Sequence, residues 1–309
     1  MANSPAIVSL GEPLIEFNRP KEGDGRTWLQ GFGGDSQNVA IAAARQGASA
    51  GYLTSVGQDW MGDAFLDLWK TEGVDASRVM RHPTAPTGVS FVTHSDAGHK
   101  FDYLRKNSAA SLMTPETLAA DYIAGAKFFH LSAIGQAISE SARLTCAAAV
   151  AAARKAGVKV SYDTNLRLRL WELDQARQVI DATIAQCDIA LPSLDDSQQL
   201  TGLTAPDSIA DYYLGLGAPL VALKMGAEGS LIATKDGRTR VPPFKVEAVD
   251  ATGAGDTFDG AFLARLLAGD MPDVAARYAN VAAALSTTGY GAVTPIPRAD
   301  AVLAALKTA

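Results

Sequence analysis

AKFFHLSAI (residues 126–134), then ESARLTCAAAVAAARKAG (140–157), then VKVSYDTN (158–165) place an apolar run, a helical pattern and a second apolar run in close succession. The first and third are short and rich in aromatic and branched residues, as buried strands are. The middle segment repeats Ala and Val at helical spacing and stops at Gly157, a residue suited to a helix C-terminus. Such a strand, helix and strand joined by short connections make a βαβ unit, whose strands lie parallel with helices covering the sheet. CDIALPS (187–193) and APLVALKMG (218–226) continue the series toward the C-terminus. The expected fold is therefore α/β, with right-handed crossovers and a mostly parallel central sheet.

Two stretches break this rhythm. GEPLIEFNRPKEGDGRTWLQGFGG (11–34) and TGVSFVTHSDAGHKFDYLR (87–105) mix polar and apolar residues at near two-residue spacing around Gly-rich turns, the pattern of hairpins. The helical patterns SQNVAIAAARQG (36–47) and MGDAFLDLWKTEG (61–73) lie between them. The hairpins are thus expected as insertions, with 1–11, 34–86 and 108–309 forming the α/β body and 12–33 and 87–107 a small β lid. His94 and His99, at the expected tip of the second hairpin, read as solvated loop residues.

The chain has 309 residues, 48% of them hydrophobic and 19% charged, enough for a large buried core. A net charge of −6 argues against a nucleic-acid partner, which calls for a basic surface. Cys146 and Cys187 sit in apolar contexts and read as small core residues, which suits a reducing compartment. CAAAVAAA is too short to span a bilayer, and the opening residues lack a basic cluster followed by an apolar run. The expected location is the cytoplasm, with no membrane partner.

VDATGAGDTFDG (249–260) precedes another apolar helical pattern. The first N–H groups of a helix have no intrahelical partner, and the helix dipole adds positive potential there. Gly253, Ala254 and Gly255 carry almost no side chain, so an anion could reach those amides. A carboxylate at Asp256 does nothing to help hold an anion, but it fits the removal of a proton from an attacking hydroxyl. The same residues also fit a Gly-rich loop with Asp256 merely capping the helix. A dinucleotide loop and a P-loop are both excluded, since neither G-x-G-x-x-G nor G-x-x-x-x-G-K-[ST] is present here.

DATGAGDTFDGAFL resembles the C-terminal signature of the ribokinase-like, or PfkB, carbohydrate kinases. GGDSQNVAIAAARQGASAGYLTSVGQDWMGD (33–63) resembles their N-terminal signature. The resemblance spans nearly the whole chain and implies transfer of the γ-phosphoryl group of ATP to a sugar hydroxyl. It implies Asp256 as the base, an anion hole from the N–H groups of Gly253 to Asp256, Mg2+ near Asp250 and Asp196, and Asn165 on the same side. It further sets Ser193 and the turn Lys224, Gly226, Glu228 and Gly229 against the nucleotide, with Asn280 near the adenine. Some relatives also carry a monovalent cation beside the anion hole. Many members have Asn and Glu where this chain has Ser193 and Asp196, so the metal arrangement should differ by the shorter reach of Asp.

For the acceptor, the resemblance implies Gly33, Gly34, Asp35, Gln37 and Asn38. Tyr103, Arg105 and Arg167, together with GEPLIEF, are similar to 2-keto-3-deoxygluconate kinases, in which Arg167 also lies toward the nucleotide. Arginine matches a carboxylate with two parallel bonds, so a sugar acid is the expected acceptor and a neutral sugar such as fructose the alternative. Ser90 and Leu104 depart from aromatic residues found in part of that subfamily. A non-catalytic sugar or nucleotide sensor is the alternative of another class. The exposed edges of the lid hairpins suit a homo-oligomer formed through the lid.

Overall fold

The runs at 126–165 form a strand, a helix and a strand in the computed structural model, which describes residues 4–21, 24–95 and 98–307. From the N-terminus, β1 (Ile7–Leu10) leads into β2 (Leu14–Arg19) and β3 (Leu29–Gly33), then α1 (Asp35–Arg45), β4 (Ala50–Leu53), β5 (Ser55–Gly57) and α2 (Trp60–Glu72). Next come β6 (Val74–Asp75), β7 (Met80–His82), β8 (Gly88–Ser95), β9 (Gly98–Leu104) and α3 (Ala120–Ala124). The alternating part comprises β10 (Phe128–Ser132), α4 (Ala133–Ala137), α5 (Glu140–Ala156), β11 (Lys159–Asp163), α6 (Leu173–Ile184), β12 (Ile189–Ala190), α7 (Leu194–Thr201), α8 (Pro206–Leu216) and β13 (Leu220–Lys224). The chain finishes with β14 (Ser230–Thr234), β15 (Gly237–Val241), α9 (Ala254–Leu267), α10 (Pro272–Ser286) and α11 (Ala299–Leu306).

The main sheet has the order β15-β14-β13-β12-β11-β10-β1-β4-β6. It is parallel from β13 to β6, and only the edge strands β14 and β15 run antiparallel. Side-chain alternation divides the core between its faces. Phe129, Leu131, Val160 and Tyr162 pack with residues of α5, α6 and α8, whereas Phe128 and Ile189 pack with α9 and α10. The helix α5 begins at Ser139, whose hydroxyl accepts from Ala142 N–H, and ends at Gly157 with φ of 73°. Cys146 and Cys187 are buried free thiols.

The two hairpins join in a second sheet of order β3-β2-β8-β9, in which β2 and β8 are parallel. Phe17 stacks on Phe91 with centroids 5.6 Å apart, and Trp28 meets Phe91 edge-on, also at 5.6 Å. His94 is not a solvated loop residue: it lies on β8 and its Nε2 is 2.7 Å from Asn18 Oδ1 on the neighbouring β2. The side chain of His99 lies outside the described residues. Among the described residues no helix is long and apolar enough to cross a membrane.

Parallel strands deliver their C-terminal ends to one edge of the sheet. There β10 ends at Ser132, β11 at Asp163 and β13 at Lys224, and α1 and α9 start over the same edge. These two helices approach closely at Gly260, where a Cβ would overlap Val39 O and lie 2.6 Å from Ala42 Cβ. A side chain at 260 would push the helices apart and separate Asn38 from Asp256.

Candidate active site

α9 begins at Ala254, with Gly253 as its N-cap at φ of 76° and no side chain capping it. A Cβ on Gly253 would be 2.9 Å from Ala292 O, so both conformation and space require glycine. Ala254 N–H bonds Ala251 O at 3.2 Å, which removes it from the expected set of bare amides. Among the described residues nothing accepts from the N–H groups of Gly253, Gly255 or Asp256, and Gly255 is exposed. The helix mouth therefore offers three amides to an anion rather than four.

Asp256 does not cap the helix. It sits in the first turn, 9% exposed, and its Oδ2 accepts from Asn38 Nδ2 at 2.8 Å. Burial, and after it the charge of Asp35, pushes its carboxyl up to about 7, while Asn38 and Lys224 oppose the shift. Asp35 also lies above its ordinary range because of burial, although Ser132 Oγ and Asn165 Nδ2 (3.3 Å) both donate to its Oδ2. A base near neutrality, rather than a permanently ionised carboxylate, is the useful kind for taking a proton from an alcohol.

Gln37, expected at the acceptor, packs inside the fold. It is wholly buried, its Oε1 accepts from Trp69 Nε1 at 3.0 Å and its Nε2 donates to Asn38 Oδ1 at 3.2 Å, so it faces α2 and not an acceptor. Helical periodicity puts 37 and 38 on different faces, a signal available in the sequence. Gly33 ends β3 and Gly34 precedes α1 as its N-cap, at the junction of the second sheet and the body. Gly34 has φ of 112°, and a Cβ there would overlap Glu12 O.

Lys224 extends beneath the helix mouth. Its Nζ is 3.1 Å from Asp163, 2.9 Å from Asp259, and 3.6 Å from where a Cβ of Gly255 would stand. Its ammonium thus adds positive charge beside the bare amides while two buried carboxylates neutralise it. Neither Asp163 nor Asp259 was expected, although Asp259 follows Asp256 by three residues and so shares its helix face.

Asp250 is expected near Mg2+. Its Oδ1 accepts from Thr252 N–H (2.9 Å) and Thr252 Oγ (2.6 Å), and its Oδ2 from Asn18 Nδ2 (3.2 Å) and Gly291 N–H (3.0 Å). With four donors on its two oxygens, it holds the loop before α9, and a metal there would have to displace one of them. Asp196 fits better. Ser193 caps α7, its Oγ accepting from Asp196 N–H at 3.3 Å, and Asp196 Oδ2 accepts from Leu166 N–H at 3.1 Å. Burial raises its carboxyl, with Arg167 opposing, so a nearby cation would relieve it. Among the described residues no three His, Cys, Asp or Glu side chains converge on a metal position. One carboxylate completed by water and phosphate oxygens is an ordinary Mg2+ environment. Asn165 N–H bonds Asp163 Oδ1 at 3.2 Å, tying it into the same cluster.

The residues expected against the nucleotide lie in separate segments of the chain. Gly226–Glu228 forms a single exposed 3₁₀ turn, and Gly229 has φ of 87° with no room for a Cβ beside Val241 O. Asn280 faces inward, 8% exposed, and its Nδ2 donates to Pro242 O at 3.0 Å.

Under the lid lies a cleft of about 210 Å3 lined by Lys100, Phe101, Tyr103, Arg105, Arg167, Arg169 and Leu170. Arg105 is tied down: its Nε donates to Glu12 Oε2 at 2.7 Å, and its guanidinium lies 4.8 Å over the Tyr103 ring. Glu12 is 1% exposed and also accepts from Ser108 Oγ at 2.6 Å. Arg167 is exposed and its Nη1 donates to Leu166 O, not to Glu172. Arg169 reaches from the body to Phe101 O and Asp102 of β9. Ser90 is buried, whereas Leu104 is 68% exposed and turned to solvent. Lys100 and Arg169 carry no local sequence signal, and Glu12, though it lies in GEPLIEF, meets Arg105 across 93 positions.

This pairing of a carboxylate base with a bare helix mouth at the sheet edge coincides with a whole-chain match. The pfkB family carbohydrate kinase model fits residues 4–299. The chain belongs to that family. A pfkB kinase of this kind is 36% identical over 311 residues to the probable fructokinase-5 of Arabidopsis thaliana, covering 96% of each chain. It is 34% identical over 298 residues to the 2-dehydro-3-deoxygluconokinase of Bacillus subtilis, covering 94% of this chain and 92% of that one. Among solved structures, a PfkB protein from Polaromonas is 30% identical with a TM-score of 0.88, covering 97% of this chain and 100% of that one. A fructokinase from Vibrio cholerae, solved with fructose, ADP and calcium, is 27% identical with a TM-score of 0.89, covering 98% and 99%. The ribokinase-like α/β fold and the sugar-kinase class follow.

Proposed function

We propose that this kinase phosphorylates a hydroxyl of a sugar acid, with 2-keto-3-deoxygluconate, converted to its 6-phosphate, as the preferred acceptor. The observation carrying this is the cleft lined by Lys100, Arg105, Arg167 and Arg169. Glu12 balances Arg105, and Asp102 lies within 3.3 Å of both Lys100 and Arg169. The cleft is lined by these four cations and by no carboxylate, so its wall presents donors to an anionic acceptor. A carboxylate leaving water needs such donors, whereas a neutral sugar does not.

ATP with a divalent metal supplies the phosphoryl group. The metal, held through Asp196, would offset charge on the phosphate oxygens. Residues of this chain do the remaining work. The turn Gly226–Gly229 and Asn280 frame the nucleotide, and the amides of Gly253, Gly255 and Asp256 receive the phosphates with Lys224 beside them. Asp256 takes the hydroxyl proton onto its carboxylate. The lid, residues 12–33 and 87–107, closes over the acceptor and excludes water that would otherwise take the phosphoryl group. A monovalent cation near the anion hole and a homo-oligomer formed through the lid belong to the same reading.

Fructose is the rival acceptor, favoured by the fructokinase relatives and by the engagement of Arg105 with Glu12. A coupled ADP-release assay over 2-keto-3-deoxygluconate, gluconate, fructose and ribose decides between them. The proposal requires the highest kcat/KM on a sugar acid; preference for fructose overturns it, and no turnover on any sugar supports a sensor.

A further inference from the structure

Trp69, Gln37, Asn38 and Asp256 form one continuous chain of hydrogen bonds. Trp69 Nε1 donates to Gln37 Oε1 at 3.0 Å, Gln37 Nε2 to Asn38 Oδ1 at 3.2 Å, and Asn38 Nδ2 to Asp256 Oδ2 at 2.8 Å. Trp69 and Gln37 are 0% exposed and Asn38 2%, so no solvent can exchange into the links.

The chain has a direction, and one residue sets it. An indole N–H only donates, while an amide donates from nitrogen and accepts at oxygen. The oxygen of Gln37 must therefore face Trp69, which turns its NH2 toward Asn38. The oxygen of Asn38 must then face Gln37, which turns its NH2 toward Asp256. The base is met by a donor.

We propose that Trp69 and Gln37 are positioning residues for the phosphoryl-transfer reaction, locking Asn38 so that it donates to Asp256 and favours the ionised, proton-accepting form of the base. A proton on Asp256 Oδ2 would need an acceptor at that position, and a proton on Oδ1 would leave the bond in place but weaken it, since a neutral carboxyl accepts less strongly than a carboxylate. Asn38 could supply an acceptor only by flipping, and a flip breaks the bond to Gln37 or forces Gln37 to present its own NH2 to the indole. The lock works against a surrounding that favours protonation: Asp35 from α1, Asp163 from β11 and Asp259 one turn along α9 all face Asp256. Lys224 from β13 is the one cation among these groups, and Arg105 acts on Asp35 from the lid.

The inference rests on Asp256 being the base, and the experiment separates the two. Trp69→Phe removes the directing donor and Gln37→Met removes the relay, each freeing Asn38 to flip. The acid limb of the kcat/KM profile should move to higher pH by about half to one unit, the size of one net hydrogen bond. Activity should return to the wild-type value well above the limb, a recovery that general loosening would not produce. Phe65→Leu is the control: Phe65 stacks on Trp69 at 5.3 Å, so it disturbs the same packing while leaving every donor and acceptor of the chain in the sequence. Its acid limb should stay in place.

An unmoved limb in both chain variants, or an equal shift in Phe65→Leu, overturns the proposal. If either chain variant melts below the assay temperature, the other carries the kinetic test. Independently of both, the Asn38 side-chain NH2 signal of the wild-type protein in 1H–15N spectra should titrate with the limb and retain its protection from exchange. A signal that exchanges freely overturns the lock. Turnover persisting in Asp256→Asn overturns the base assignment and the chain together, whereas a dead Asp256→Asn with unmoved limbs overturns the chain alone.

Discussion

Replacing Arg105 by alanine tests the acceptor class, but the structure makes the measurement more than a lost contact. Arg105 faces the cleft and also grips Glu12, a carboxylate 1% exposed whose other contact is Ser108. A charge-assisted bond from the guanidinium to an acceptor carboxylate contributes about 2 kcal/mol, roughly thirtyfold in kcat/KM. Removing one partner of a buried ion pair costs about 3–5 kcal/mol of stability while the other stays charged. Burial already raises the Glu12 carboxyl, and Arg105 is the main opposing influence, so the variant should carry Glu12 protonated. For a carboxyl raised on folding, the ionised form is penalised, so the stability deficit of Arg105→Ala should grow as pH rises through that elevated value. The double variant Glu12→Gln, Arg105→Ala removes the orphaned charge. Its melting temperature should recover most of the loss, while kcat/KM on 2-keto-3-deoxygluconate stays about thirtyfold down and the value on fructose changes less than about threefold. Equal losses on both sugars in the double variant would refute the carboxylate-reading role.

Four other outcomes follow from the geometry. Asp256→Asn should lower kcat at least about a hundredfold while isothermal titration still detects ATP; unchanged kcat removes the base. Since burial holds Asp256 near 7, kcat/KM should rise with pH through neutrality, and a profile flat from pH 5 to 8, by the reporting of free-enzyme ionisations, contradicts that. Lys224→Met strands Asp163 and Asp259, so a melt should reveal a loss on the order of 3 kcal/mol, which Asp259→Leu placed in the same chain should partly restore. Asp196→Asn should raise the Mg2+ concentration needed for half-maximal rate by roughly tenfold, the scale of a lost ligating or outer-shell group, with KM for the sugar little changed.

The sequence by itself determined the alternation of strands and helices, because apolar period and Gly or Ser at the helix ends are local properties that short-range physics reads directly. Ser139 and Gly157 bounding α5 are such marks, and so are Gly253 and Gly255 before α9. It also placed the hairpins and Asp256. What only the tertiary structure decided was which polar group meets which. Asp250, legible as one more carboxylate of the glycine stretch, spends its oxygens on Asn18, Thr252 and Gly291. Gln37 turns to Trp69, and Arg105 to Glu12. Apart from Asp250 with Thr252, these pairings join residues tens or hundreds of positions apart, where the close approach of α1 to α9 at Gly260 and of the second sheet to the strand ends sets the distances. A hydrogen bond is decided over a few tenths of an ångström, and no local pattern along the chain encodes that.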